Sequence, residues 1–463
     1  MNRFLPLATC AVALVANLGF TADPSLSPIS SPQSPIPLVI ISPHGEDVKT
    51  EFARAFSSWH EKKYGQQVKI DWRDLGGTND DLKFIISEFT NKPDGIGIDL
   101  FFGGGDYPFY DLAGRGMLAS YHPPPKVLDY LPRDIGSIKM YDADHFTWFG
   151  AATAGFGIAY NKKVLRAKGW PEPKSWEDLT NPRYAGWISS GDPRHSGSTY
   201  MMYELILQAY GWERGWAIIY QMGANAREFH KSSATAVKQC TSGDTAYALA
   251  IDFYAFMQVG YVGKENFGWI MPPEIAVMNP DGIAMLKGAP HRELAERFLN
   301  FVLGEEGQKL WFLPRGHPEG PQRFNISRMS LRRDFYERFK DITPVTVNPF
   351  LLKTVPFDAK KSAARQKLVA ALIGATVIDT HEEAVKALAS IKETKEKWSR
   401  YEPAKSTWPS PEENIAGFSK PPLFETDALA MAKEKWSDPK FRSRQIIEWQ
   451  RWARDKYRKF YER

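Results

Sequence analysis

Between residues 37 and 105 the chain alternates strand-like and helix-like patterns, and this alternation restricts the fold more than any other feature. Residues 37–42 (PLVIIS) are a short, almost wholly apolar run. Residues 47–64 then place Val48, Phe52, Phe56 and Trp59 at helical spacing and end at Gly65, as an amphipathic helix with a glycine stop does. Val68, Ile70 and Trp72 alternate with polar residues, and Thr78 stands where it can cap a helix carrying Leu82, Ile85, Ile86 and Phe89. Residues 98–102 (IDLFF) form a third strand closed by Gly103, Gly104 and Gly105. Strand, helix, strand, helix, strand predicts an α/β fold with a mostly parallel sheet. Such sheets bind ligands at the carboxyl ends of their strands. Two ends qualify here: residues 42–46, with Ser42 and His44, and residues 103–106, with Gly104, Gly105 and Asp106. Glycines there let a ligand approach backbone N–H groups, although tight turns with no ligand use the same residues.

At 463 residues the chain is too long for one core and suits two or three domains. A second α/β unit begins near Phe149, with a strand ending at residues 157–161 and another at 186–190. Residues 192–199 (DPRHSGST) then lead into a helix from Tyr200 to Tyr210. Ser196, Gly197, Ser198 and Thr199 supply hydroxyls and backbone N–H groups at that helix start, which suits an anion and equally a plain N-cap.

Residues 1–22 read as a secretory signal: Arg3, an apolar run from Phe4 to Phe20, then Ala22 at the exit. An uncleaved membrane anchor is the alternative. Residues 23–37 are mostly Ser and Pro, an extended spacer that builds no core. The mature protein is expected in the periplasm or outside the cell. The net charge of +5 over this length excludes a dedicated nucleic-acid binder. Two cysteines, Cys10 and Cys240, exclude a disulfide scaffold and a four-cysteine metal site.

Several stretches together resemble the extracellular solute-binding proteins of ABC importers, of the type II periplasmic-binding fold. They are residues 155–161 (GFGIAYN), 171–179 (PEPKSWEDL), 192–199 with Tyr210-Gly211-Trp212, 279–291 and 294–308 (LAERFLNFVLGEEGQ). Their order and spacing match across roughly residues 36–312, and the branch is similar to ferric-ion, sugar-phosphate and phosphonate binders. The resemblance implies a two-lobed clamp with a hinge: lobe one from 38–147 and 275–344, lobe two from 148–274. It also implies a small-molecule solute, delivery to a permease in the inner membrane, no cofactor and no chemistry of its own.

Iron-binding relatives imply a histidine after the first strand, a carboxylate after the third and two adjacent tyrosines in lobe two. Here His44 is at or beside the first position. The carboxylate position falls on Gly103 or Gly104, with Asp106 displaced, and the tyrosine pair is Phe253-Tyr254. Ferric ion therefore loses anionic ligands, with His44 and Tyr254 left as metal candidates. An organic molecule bearing oxyanions fits better. Its oxygens would be met by the backbone at Gly103–Gly105, by Ser196, Ser198 and Thr199, and by Lys231, Ser232 and Ser233. Tyr254 or Trp148 would pack on its carbon skeleton, and Asp252 would accept from hydroxyls or an amine. A ligand-sensing receptor is the second reading, and a cysteine-dependent enzyme using Cys240 with His230 is the third. No Gly-x-Ser-x-Gly elbow, HExxH helix or phosphate-binding loop is present.

From Val345 onward the resemblance fades. Residues 345–463 read as a helical C-terminal extension: 362–373 stopped by Gly374, 382–398, a Pro/Ser/Glu-rich strap at 401–423, 428–436 and 441–461. It holds 23 basic against 16 acidic side chains, a net of +7. Trp449, Trp452 and Tyr457 are expected to hold it onto a lobe.

Overall fold

The computed structural model describes residues 35–273, 276–352, 356–398 and 411–462. The signal expected at 1–22 and nearly all of the spacer lie outside the described residues. Ten strands, β1 (Ile36–Ile41), β2 (Val68–Arg73), β3 (Leu100–Phe102), β4 (Phe149–Ala154), β5 (Phe156–Asn161), β6 (Ile188–Gly191), β7 (Ala226–His230), β8 (Tyr247–Ile251), β9 (Phe267–Ile270) and β10 (Asn279–Met285), form two sheets. Their orders are β2-β1-β3-β10-β4 and β9-β5-β8-β6-β7. A hairpin at Asp134–Ile135 and Ile138–Lys139 stands apart.

The first sheet is mixed. β1 pairs parallel with β2 and β3, while β10 runs antiparallel to both β3 and β4. Helix α1 (Glu46–Tyr64) buries Val48, Phe52 and Phe56 on one face, where Phe298, Phe301 and Trp311 of the returning segment meet them. Helix α2 (Thr78–Asn91) covers the other face with Leu82, Ile85 and Phe89. Thr78 does not cap it. Gly77 holds that position without a side-chain bond, and Thr78 instead lies against Gly104, where a Cβ would sit 2.7 Å from its Cγ2.

The second sheet sorts its side chains by size. On β8, Tyr247, Leu249 and Ile251 join one core, while Ala248 and Ala250 face the other, the period-two alternation of a strand. The small face admits helix α3 (Ser233–Ser242) with Val237 and Cys240. The large face meets helix Gly197–Ala209 and helix Trp212–Ala224.

One residue, Gly155, separates β4 in the first sheet from β5 in the second. The chain returns between Ile270 and Asn279. Strand β4, which a boundary at 148 assigns to lobe two, is thus an edge of the first sheet. Both strands are fully buried, so the change of sheet leaves no mark in their polarity.

The C-terminal extension is built into the second lobe. Leu368, Leu372, Leu388, Trp449, Ala453 and Tyr457 share its core, in line with the expected role of the aromatics. Gly374 is not a stop: it is helical (φ −51°) and opens a π turn, Gly374–Ile378, that joins helix Ala359–Ile373 towards helix His381–Trp398. The strap expected at 401–423 is partly helical, at Pro411–Ser419; residues 401–410 lie outside the described residues. Arg365 is fully buried, donates to both oxygens of Glu204 at 2.9–3.1 Å, and reaches Glu425 at 2.5 Å. Removing one partner of such a pair strands a buried charge. Arg365→Ala is expected to cost about 3–5 kcal/mol in urea unfolding, and the double variant Arg365→Met/Glu204→Leu less than the single one.

Candidate functional site

The carboxyl ends of β1 and β3 and the start of β10 meet at one buried group. His44, 5% exposed, follows β1. Its Nε2 lies 2.7 Å from Oδ2 of Asp281 on β10. Asp281 Oδ1 accepts from the Gly104 N–H at 3.0 Å, and Arg328 Nη1 donates to Asp281 Oδ2. Burial would raise this carboxyl, but Arg328, His44 and the Gly104 N–H outweigh it and hold Asp281 far below the usual range. Gly103 has φ +103°, and a Cβ there would lie 2.7 Å from the His44 ring; only glycine allows that approach.

Arg328 joins this cluster to the second lobe. Its guanidinium lies 4.0 Å from the ring centre of Phe253, which follows β8, and 5.1 Å from that of Trp311 in the first lobe. Beside Phe253, Asp252 is fully buried and its Oδ1 accepts from the N–H of the crossing residue Gly155 at 3.2 Å. Burial pushes its carboxyl up to about 7. Tyr254 packs against both lobes' cores, and its hydroxyl is pushed up by burial and by Asp47 and Asp281, against the pull of Arg328. Buried polar atoms without a partner gather here: His44 Nδ1, Arg328 Nε, Asp252 Oδ2 and Ser327 Oγ. Leaving each unpaired costs about 1–3 kcal/mol, so such a group at a lobe junction is suited to pairing with a solute.

A second cluster sits at the carboxyl ends of β6 and β7. Ser196 caps helix Gly197–Ala209 by accepting from the Thr199 N–H, and Ser232 caps α3 by accepting from Ala234. The two helix starts touch through Ser198 and Ser233, whose hydroxyl oxygens lie 2.9 Å apart, and Ser198 also meets Ser196 at 3.1 Å. The Thr199 hydroxyl donates to Ser196 at 2.9 Å. Two converging helix N-termini with hydroxyls between them favour negative charge.

The expected residues thus fall into groups. His44 and Gly104 join at Asp281, Asp252 and Tyr254 gather around Arg328, and Ser196, Gly197, Ser198, Thr199, Ser232 and Ser233 form the hydroxyl cluster. The other candidates are placed differently. Ser42 is fully buried and accepts from the His44 N–H. The Gly103 and Gly104 N–H groups, expected to face a ligand, bond to Gly282 and Asp281, because the neighbouring antiparallel strand comes within reach. Gly105 lies against Asn279. Asp106 is half-buried at the start of helix Tyr107–Gly114 without capping it, and burial raises its carboxyl. Trp148 is core, packed on Phe109 and Tyr110. Cys240 is buried with its thiol pushed well up by desolvation, and His230 pairs with Gln239, a poor arrangement for a nucleophile.

Asp281, Arg328 and Trp311 escape the sequence reading. Asp281 lies in the 279–291 stretch that carries the resemblance, and it places a carboxylate against the Gly104 N–H. Arg328 sits in residues 327–334, which carry no motif that would single it out. Among the described residues no group of three or more His, Cys, Asp or Glu side chains is placed to hold a metal ion.

Residues 97–318 match the family of bacterial extracellular solute-binding proteins. The chain is 28% identical over 180 residues to the phosphoglycerate transport regulatory protein PgtC of Salmonella typhimurium; the match covers 39% of this chain and 42% of that protein. It therefore spans less than half the length of that relative. Among solved structures, the periplasmic binding protein P5PA superposes with a TM-score of 0.52 at 21% identity, over 70% of this chain and 94% of that one. The ferric iron-binding protein A of Mannheimia haemolytica, in an open conformation, superposes with a TM-score of 0.50 at 16% identity, over 73% and 97%. These similarities show the two-lobed binding-protein fold.

The Asp252 carboxyl has a folded pKa of about 7 against an ordinary 3.8. The folded state therefore holds that proton more tightly than the unfolded chain. Its contribution to stability declines as pH rises from about 4 to about 7 and then levels off. Asp252→Asn is expected to remove that decline in urea unfolding measured from pH 4 to pH 8.

Proposed function

We propose, from the match of residues 97–318 to the bacterial extracellular solute-binding family, that the protein is an exported receptor for a small organic anion, which it passes to an ABC permease. The observation that carries this reading is Arg328, a buried guanidinium between Phe253 of one lobe and Trp311 of the other, with Nε unpartnered. A planar cationic fork between aromatic faces suits phosphate or carboxylate oxygens. The hydroxyl cluster on the second lobe supplies further donors on the same side of the sheets. The same charge disfavours a ferric ion, since a guanidinium already neutralises the one carboxylate bound to His44. The name of the Salmonella relative favours a phosphorylated three-carbon acid as the first solute to try.

The mechanism is a two-state closure. A solute that touches both lobes only when they are together shifts the population to the closed form. The strand passages at Gly155 and between Ile270 and Asn279 are the connections about which the lobes would move. The closed form is the one presented to the permease, and the receptor itself performs no chemistry. A sensing role is the second reading, favoured by the word "regulatory" in that relative's name. The lobe assignment of 38–147 with 275–344, and 148–274, serves this proposal with β4 moved to the first lobe.

Thermal unfolding of the purified mature protein against phosphoglycerate, sugar phosphates, phosphonates, polyamines, oligosaccharides and ferric ion tests the solute class. A ligand at 100 times its Kd adds about 2.7 kcal/mol. Stabilisation by a phosphorylated or carboxylated compound is expected, and stabilisation by ferric ion alone would refute the reading. Arg328→Gln is expected to weaken solute binding about 10- to 100-fold by calorimetry, as loss of a charge-assisted contact does.

A further inference from the structure

The loop that opens helix Gly197–Ala209 is braced by the C-terminal extension that shares the second lobe's core. Asp192, 6% exposed, ends β6 and organises this loop. Its carbonyl accepts from the N–H groups of His195 and Ser196, and its carboxylate takes the Arg194 N–H at 2.8 Å. The Arg194 guanidinium grips the same carboxylate through Nε and Nη2 at 2.7–3.0 Å. It then reaches the C-terminal extension. Nη1 donates to Asp379 Oδ2 at 3.0 Å, and Nη2 lies 3.0 Å from Asp379 Oδ1. Gln450, on helix Pro439–Tyr461, donates to Asp379 Oδ2 at 2.8 Å.

Gly374 makes this reach possible. A Cβ there would lie 2.6 Å from both Cδ and Nε of Arg194. The glycine that looks like a helix stop is in fact the floor under the arginine, at the start of the π turn that delivers Asp379. Further along the same helix, Tyr200 and Glu204 bond to Ser362 and Arg365 of the extension, and Gln208 bonds to Asp358. The two superposed solved structures are covered to 94% and 97% by 70% and 73% of this chain, so nearly all of each is matched by less than three-quarters of it.

We propose that Asp379 is a positioning residue for solute capture: through Arg194 and Asp192 it holds the 192–199 loop in the form that offers Ser196 and Ser198 to the solute, while buried Thr199 holds Ser196 in place. The proposal rests on the reading that the two serine hydroxyls receive an anionic solute. Loops are the segments that open most easily, and a loop ordered before binding spares that ordering cost at capture. The extension, otherwise foreign to a two-lobed receptor, thereby gains a role in affinity.

Two measurements on the full mature chain test this. Amide hydrogen exchange compares the wild type with Asp379→Asn and Gly374→Ala, and calorimetry follows phosphoglycerate binding. Both variants are expected to speed exchange at residues 192–199 about tenfold, leave residues 292–303 unchanged and weaken binding about tenfold. Asp379→Glu is expected to restore most of both. Unchanged exchange at 192–199 in both variants would overturn the brace. Faster exchange with undiminished binding would overturn its link to capture. If the wild type binds neither phosphoglycerate nor inorganic phosphate, the proposed solute class fails, while the exchange data still decide the brace. If Asp379→Asn does not fold, Gly374→Ala, which displaces Arg194 without removing a charge, decides both points by itself.

Discussion

The buried carboxylate of Asp281 is the point on which the lobe junction depends. A carboxylate taken out of water is costly unless charge and hydrogen bonds answer it. Here the answer comes from His44 after β1, from the Gly104 N–H after β3 and from Arg328 of the returning segment. Three distant stretches of chain must therefore be in place together. Arg328, once fixed, faces the second lobe through Phe253. The first lobe thus meets the second through a guanidinium that is paired with Asp281 and lies over the Phe253 ring.

At the sheet end that carries Phe253, the second lobe holds weak dipoles in place of charge. Ser196, Ser198, Thr199 and Ser233 lie at two helix N-termini and bond to one another. Such donors can turn from each other to a bound oxygen with little rearrangement. One lobe offering the remaining N–H donors of a guanidinium fixed on Asp281, and the other hydroxyls, is a combination that rewards closure on an oxyanion. The extension stiffens the hydroxyl side: its buried Arg365–Glu204 pair and the Arg194–Asp379 contact both act on the helix that begins at Gly197.

Much of the fold was legible because its signals are local. The alternation of 37–105 set the first three strands and two helices, and the loops that carry His44, Ser196 and Ser198 follow strand ends as expected. What escaped depends on contacts between distant segments. Asp281 comes to His44 and the Gly104 N–H only because β10 runs antiparallel beside β3, a pairing no local pattern encodes. Arg328 lies in no motif, and its place is set only by Phe253 and Trp311, both distant in sequence or on another element. Gly374 has the composition of a stop, yet its missing side chain serves Arg194, from a part of the chain far away in sequence. Trp148 illustrates the converse: a residue chosen for its aromatic ring is simply core.

The most direct test is to identify what the protein carries. Protein purified gently from its native compartment can be denatured and the released solute weighed by mass spectrometry, for the wild type and for Arg328→Gln. A phosphorylated or carboxylated organic molecule released by the wild type and absent from the variant is the predicted result. Iron released equally by both proteins, or a neutral solute retained by the variant, would contradict the account.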